Sequence, residues 1–179
     1  MRAGRFIRQA GRFAVLLCLA ISLAVADWRA SVPAAGLLGA GEYRWYGLRV
    51  YSASLWSAST QPWPGRAFAL ELTYHRRLAR DTLVQASLEE IRRLQGAAVD
   101  DATLARWAAE MNRAFADVAA GDRLVGVSVP ERGCRFYLNG RLRHEVPDPR
   151  FAAAFFAIWL DPRTRAPELR RELLGETRR

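Results

Sequence analysis

The hydrophobic positions of this chain alternate with period two, shift to helical spacing, return to period two and end on helical spacing again. Between Trp45 and Trp56, Leu48 and Val50 fall on one parity and Tyr51, Ala53 and Leu55 on the other, which predicts one long strand partly covered on both faces. Two prolines and a glycine in Gln61-Pro62-Trp63-Pro64-Gly65 end it, since proline cannot donate to a ladder. Phe68, Leu70, Leu72 and Tyr74, alternating with Ala69, Glu71 and Thr73, predict a second strand with one wet face. Val84, Leu88, Ile91 and Leu94 then recur at helical spacing after a cap at Asp81 or Thr82, with Gly96 as the stop. Asp100 and Asp101 open another helix, striped by Leu104, Trp107, Met111, Phe115 and Val118 and ending at Gly121.

Alternation resumes at Val125, Val127 and Val129, and Phe136 and Leu138 lead into Asn139-Gly140, a strong hairpin signal from which Arg141 to Val146 pairs back. Asp148 caps a third helix with Pro149 at its first position and Ala152, Phe155, Phe156 and Trp159 facing inward. Ala166-Pro167 starts the last helix, which buries Leu169, Leu173 and Leu174 and stops at Gly175. Strands, two helices, strands and two helices make an α+β layout, an antiparallel sheet carrying helices on one face.

The first residues lie outside this pattern. Arg2, Arg5, Arg8 and Arg12 precede an apolar run from Phe13 to Val25 and the small-x-small ending Ala24-Val25-Ala26, which reads as a signal peptide over residues 1–26. The run is shorter than the roughly 20 residues of a spanning helix. A periplasmic protein is therefore expected, and one anchored to the inner membrane by an uncleaved N-terminus is the alternative. Residues 27–179 then form a single domain. Without the leader the formal charge falls from +9 to +5, because four arginines leave and no acid does. The remaining arginines are spread among acids, unlike the clustered basic face of a nucleic-acid binder. One cysteine, Cys134, is left, so no intramolecular disulfide forms; in a strand it reads as a small core residue.

Candidate chemistry is sparse. His75 and His144 stand far apart and no ligand cluster joins them, so no metal or other cofactor is expected. No Gly-x-Ser-x-Gly elbow supports a nucleophile. Asp122, Glu131 and Glu145 lie around the hairpins without forming an acid/base pair, and no catalytic residue is assigned. Leu38-Gly39-Ala40-Gly41 lacks the context of a phosphate-binding loop and reads as a turn. Trp45, Tyr46, Tyr51 and Trp56 interleave with Arg44 and Arg49, an arrangement that walls a core or an apolar pocket.

Leu38-Gly39-Ala40-Gly41 followed by Val50-Tyr51, Gly121-Asp122, Ile158-Trp159-Leu160 and the closing Leu173-Leu174-Gly175 resemble the blocks of the bacterial chalcone isomerase-like family. The resemblance runs from about Gly36 to Gly175 and implies an open-faced β-sandwich whose large antiparallel sheet is backed by helices, with a cleft between them. The plant enzymes of that fold cyclise chalcones with an arginine, a threonine and a Tyr/Lys/Asn set. Here Tyr46 falls near the threonine position, Leu78, Asp81 and Gln85 near the helical set, and only Arg44 or Tyr43 matches the arginine. An acid near the lysine position opposes stabilisation of a phenolate.

Non-catalytic relatives hold a fatty acid whose carboxylate meets an arginine and a tyrosine. That implies Arg44 and Tyr46, two apart on the expected strand and hence on one face, with Tyr43 and Tyr51 beside them. Three classes result: a binder of an apolar carboxylate, an isomerase or lyase of unknown substrate, and an accessory protein that docks on a periplasmic or inner-membrane partner through the Trp63 loop and the Arg-rich C-terminal helix.

Overall fold

The structure is a computed structural model and describes residues 28–176. The signal-peptide reading of residues 1–26 lies outside the described residues. Six antiparallel strands follow in sheet order: β1 (Gly36–Trp45), β2 (Leu48–Ser57), β3 (Phe68–Tyr74), β4 (Arg123–Val129), β5 (Gly133–Leu138) and β6 (Arg141–Val146). Helices α1 (Arg80–Gln95) and α2 (Asp101–Ala114) interrupt the meander after β3, while α3 (Pro149–Leu160) and α4 (Pro167–Leu173) follow β6. The α+β architecture is the one the hydrophobic pattern predicts.

Alternation along the strands gives the sheet two unlike faces. Leu55, Phe68, Leu70, Leu72 and Phe136 point to the helices and join Ile91, Trp107, Met111, Phe151, Phe155 and Leu160 in the main core. Ala69, Val125, Val127 and Tyr137 point the other way and are covered by a short 3-10 turn, Trp28–Ser31, through Trp28 and the following Val32. Cys134 is buried in the main core, and burial pushes its thiol pKa up.

The caps of the second and third helices form as expected. Asp100 accepts from the Thr103 amide at 2.7 Å, and Asp148 from those of Arg150 and Phe151 at 2.8 and 3.0 Å. Asp148 also accepts the indole N–H of Trp107 at 2.9 Å, tying α3 to α2.

Four expectations need correction. The strand expected from Trp45 to Trp56 is β2 only from Leu48 onward: Trp45 ends β1, and the two strands meet at Tyr46-Gly47, both at positive φ, 46° and 81°. The Leu38-Gly39-Ala40-Gly41 turn is a stretch of β1 itself, and a Cβ at Gly39 would run into the backbone of Glu172 and Leu173 in α4. Its glycines let that helix rest on the strand. Helix α1 is not capped by Asp81 or Thr82. It begins at Arg80, whose amide donates to Asp117 Oδ1 at 2.9 Å, from the loop after α2. Helix α2 stops at Ala114 rather than Gly121, because Val118 bridges to Leu78 in an extended segment.

Candidate functional site

Strand register builds the site. Tyr43 pairs with Tyr51 across β1 and β2, and Tyr51 pairs with Tyr74 across β2 and β3, so three phenols stand in one row. The rings of Tyr43 and Tyr51 stack with centroids 5.1 Å apart, and those of Tyr51 and Tyr74 meet edge-on at 6.0 Å. Trp159 of α3 donates its indole N–H to Tyr51 Oη at 3.0 Å.

Between this row and the helices lies a cavity of about 480 Å³, open at one side. Leu72, Leu124, Phe115, Phe155, Ile158 and Trp159 form its apolar depth. Trp45, Arg76, Ala86, Glu89, Glu90 and Arg165 stand around it with Tyr43. The volume falls within the several hundred Å³ usual for small-molecule sites, and the lining is apolar with few polar groups, as such sites are.

Charges around the opening are unevenly matched. Arg165 pairs with Glu89 at 3.0 Å and Glu90 at 2.9 Å, and Glu90 also pairs with Arg93 at 2.8 Å. Arg76 has no acid partner among the described residues, which makes it the cation open to an incoming anion. Burial pushes the phenol pKa of Tyr74 up; burial also raises that of Tyr51, against the opposing bond from Trp159. Burial, followed by the charge of Glu90, raises that of Tyr43 as well. All three phenols remain neutral hydrogen-bonding groups near neutral pH.

Of the four residues expected from the sequence, Tyr43 and Tyr51 line the cavity and Arg44 and Tyr46 do not. Arg44 turns out to Glu42 at 2.7 Å and to the Gly47 carbonyl at 3.2 Å, while Tyr46 is 90% exposed in the turn. The shared face assumed for the pair needs a regular strand, and the left-handed backbone of Tyr46 removes it. Leu78 lines the cavity, but Asp81 and Gln85 do not. Tyr74, Arg76 and Trp159 escaped the sequence reading as site residues. Only their cross-strand and helix-to-sheet partners bring them together.

Among the described residues neither histidine belongs to a nucleophilic triad or a metal site. His75 Nε2 lies 2.7 Å from Ser52 Oγ, but Nδ1, where a triad carboxylate would bond, has no partner among the described residues. His144 pairs with Glu110 at 2.5 Å, at the far edge of the sheet. Among the described residues no group of three His, Cys, Asp or Glu could hold a metal ion.

A six-stranded antiparallel sheet, helices on one face and an apolar cavity between them define an open-faced sandwich with an internal ligand-sized space. Residues 36–175 match the family model described as chalcone isomerase-like, and the chain belongs to that family. It is 30% identical over 142 residues to an uncharacterised protein of Haemophilus influenzae, covering 79% of this chain and 68% of the relative. It is also similar in fold to the crystal structure of the Arabidopsis thaliana fatty-acid binding protein AtFAP1. The TM-score there is 0.63 at 12% identity, covering 79% of this chain and 87% of the other.

Proposed function

We propose that this chain is a non-catalytic binding protein that holds a fatty acid or similar apolar carboxylate in the cavity between sheet and helices. The observation that carries the reading is the pairing of an apolar cavity of about 480 Å³ with Arg76, a cation without an acid partner, at its opening. The chain of such a ligand would lie against Leu72, Leu124, Phe155 and Trp159, gaining about 0.8 kcal/mol per buried methylene. Its carboxylate would meet the Arg76 guanidinium, with the Tyr43 hydroxyl available beside it. The similarity to a fatty-acid binding protein supports the fold's capacity for such a ligand.

The phenols of the row suit a ligand-binding role as hydrogen-bonding groups. A phenol pushed upward is a weaker acid and stays protonated, so Tyr43, Tyr51 and Tyr74 do not serve as bases near neutral pH. The protein purified without added lipid and examined by native mass spectrometry should carry acyl ligands or take up added fatty acids. Apo protein alone, refusing both, ends this reading.

Export belongs to the same proposal. The intact mass of protein recovered from cells expressing the full sequence should match a chain beginning at Asp27. A mass that retains the first 26 residues would favour anchoring.

A further inference from the structure

Among the described residues five large hydrophobic side chains are exposed, and three of them, Trp45, Tyr46 and Leu48, stand in the single turn between β1 and β2. Their exposures, 54%, 90% and 53%, are those of a projecting tip rather than of a core edge. Trp45 and Tyr46 brace one another edge-to-face at 5.1 Å. The positive φ of Tyr46 costs an aromatic residue conformational energy, and no packing inside the fold repays it.

The tip is ringed by cations. Arg44 and Arg49 flank it and share one acid, Glu42. The exit of β3 runs beside the start of β2, with the His75 amide donating to the Val50 carbonyl at 2.9 Å, which brings Arg76 and Arg77 to the same end of the sheet. Neither has an acid partner among the described residues. Arg44, Arg49, Arg76 and Arg77 thus surround three exposed apolar side chains, with Glu42 the acid on the turn itself and Glu89 and Glu90 paired to Arg165 across the opening.

We propose that the β1–β2 turn is a membrane-docking tip that inserts Trp45, Tyr46 and Leu48 into the headgroup region of an anionic phospholipid bilayer. Indole and phenol rings settle at that depth, leucine reaches the acyl boundary, and arginines keep their heads with the phosphates. A protein partner needs roughly 800 Å² of matched surface on each side, which three side chains on a narrow turn do not supply. Trp45 also lines the cavity, as does Arg76, so docking places the opening against the bilayer, where an apolar acid resides. The docking is independent of the proposed ligand, and the experiment below reads no ligand.

The full sequence carrying Cys18→Ser and Tyr46→Cys is labelled with an environment-sensitive nitrobenzoxadiazole dye; Cys134 is buried and does not compete. Gln61→Cys, in the loop at the opposite end of the sheet, is the companion. With vesicles of phosphatidylcholine and phosphatidylglycerol in equimolar mixture, the dye at position 46 should shift to the blue and the dye at 61 should not. The local signal separates tip insertion from tethering by an uncleaved N-terminus, which leaves position 46 in water. Adding Trp45→Ser and Leu48→Ser should weaken the partitioning more than about tenfold. Arg77→Gln should weaken it about fivefold. The proposal falls if position 46 stays in water, if position 61 shifts equally, or if pure phosphatidylcholine gives the same shift. A photo-crosslinker at 46 that captured one protein rather than lipid in cells would also overturn it.

Discussion

Arg76 and Arg44 carry the same charge and lie near the same end of the sheet, yet their surroundings assign them different work. Arg44 is already satisfied by Glu42 and a turn carbonyl, so bringing a carboxylate to it means competing with an existing pair. Arg76 has no such competitor and stands on the cavity. Arg76→Gln should therefore weaken binding of a fatty acid about fivefold, the scale of a solvent-exposed ion pair, and leave binding of the matching fatty alcohol unchanged. Titration calorimetry with both ligands reads the difference; an equal loss for the two would assign Arg76 to packing alone. The tyrosine row follows similar logic: Tyr51 and Tyr74 fall on two separate expected strands and Tyr43 just before the first, and only register brings the three side by side.

The elements were largely legible because their boundary chemistry is local. Asp148-Pro149 and Asp100 are read three residues at a time, and both caps form. Asp117 caps α1 from 37 residues away, and no local window contains it. Tyr46-Gly47 was missed for another reason: an aromatic residue at the first position of a tight turn lacks the small polar side chain that usually tolerates positive φ. The glycines of β1 were recognised as a block but not as a contact surface, because their purpose lies in α4, more than a hundred residues later. Gly39→Ala should destabilise the fold by about 1–3 kcal/mol, the usual cost of overpacking, with a lower midpoint in urea. Unchanged stability would mean that α4 shifts without cost.

Asp148 offers a second test at this scale. Burial works to raise its pKa, and bonds from the Phe151 amide, the Trp107 indole and the Arg150 amide outweigh it, so the folded value lies below the ordinary one. A carboxylate depressed in the folded state contributes stability that is present above its unfolded pKa and lost as pH falls through the folded value. Asp148→Ala should cost about 1–2 kcal/mol at neutral pH, and the gap to the parent should narrow below pH ~4. Urea midpoints across that range check it, and a gap that widened in acid would contradict the assignment.

For the whole molecule, the question is whether the cavity is the site or merely a packing defect. Neither its volume nor its opening was legible from the sequence, since both depend on where α1 and α3 sit over the tyrosine row rather than on any motif. The core would hold without the space: Leu55, Phe68, Phe136, Phe151 and Phe156 are fully buried and none of them lines it. Ala86 projects from α1 at the cavity's exposed side, where a larger side chain meets solvent and the opening rather than a filled interior. Ala86→Trp should therefore leave the thermal midpoint near that of the parent while reducing uptake of fatty acid and fatty alcohol alike by tenfold or more, since several methylenes at about 0.8 kcal/mol each lose their burial. This differs from the Arg76→Gln outcome, which separates acid from alcohol, so the pair distinguishes occupancy of the cavity from recognition at its mouth. If Ala86→Trp bound both ligands as the parent does, the acyl chain would lie elsewhere and the cavity would be structural.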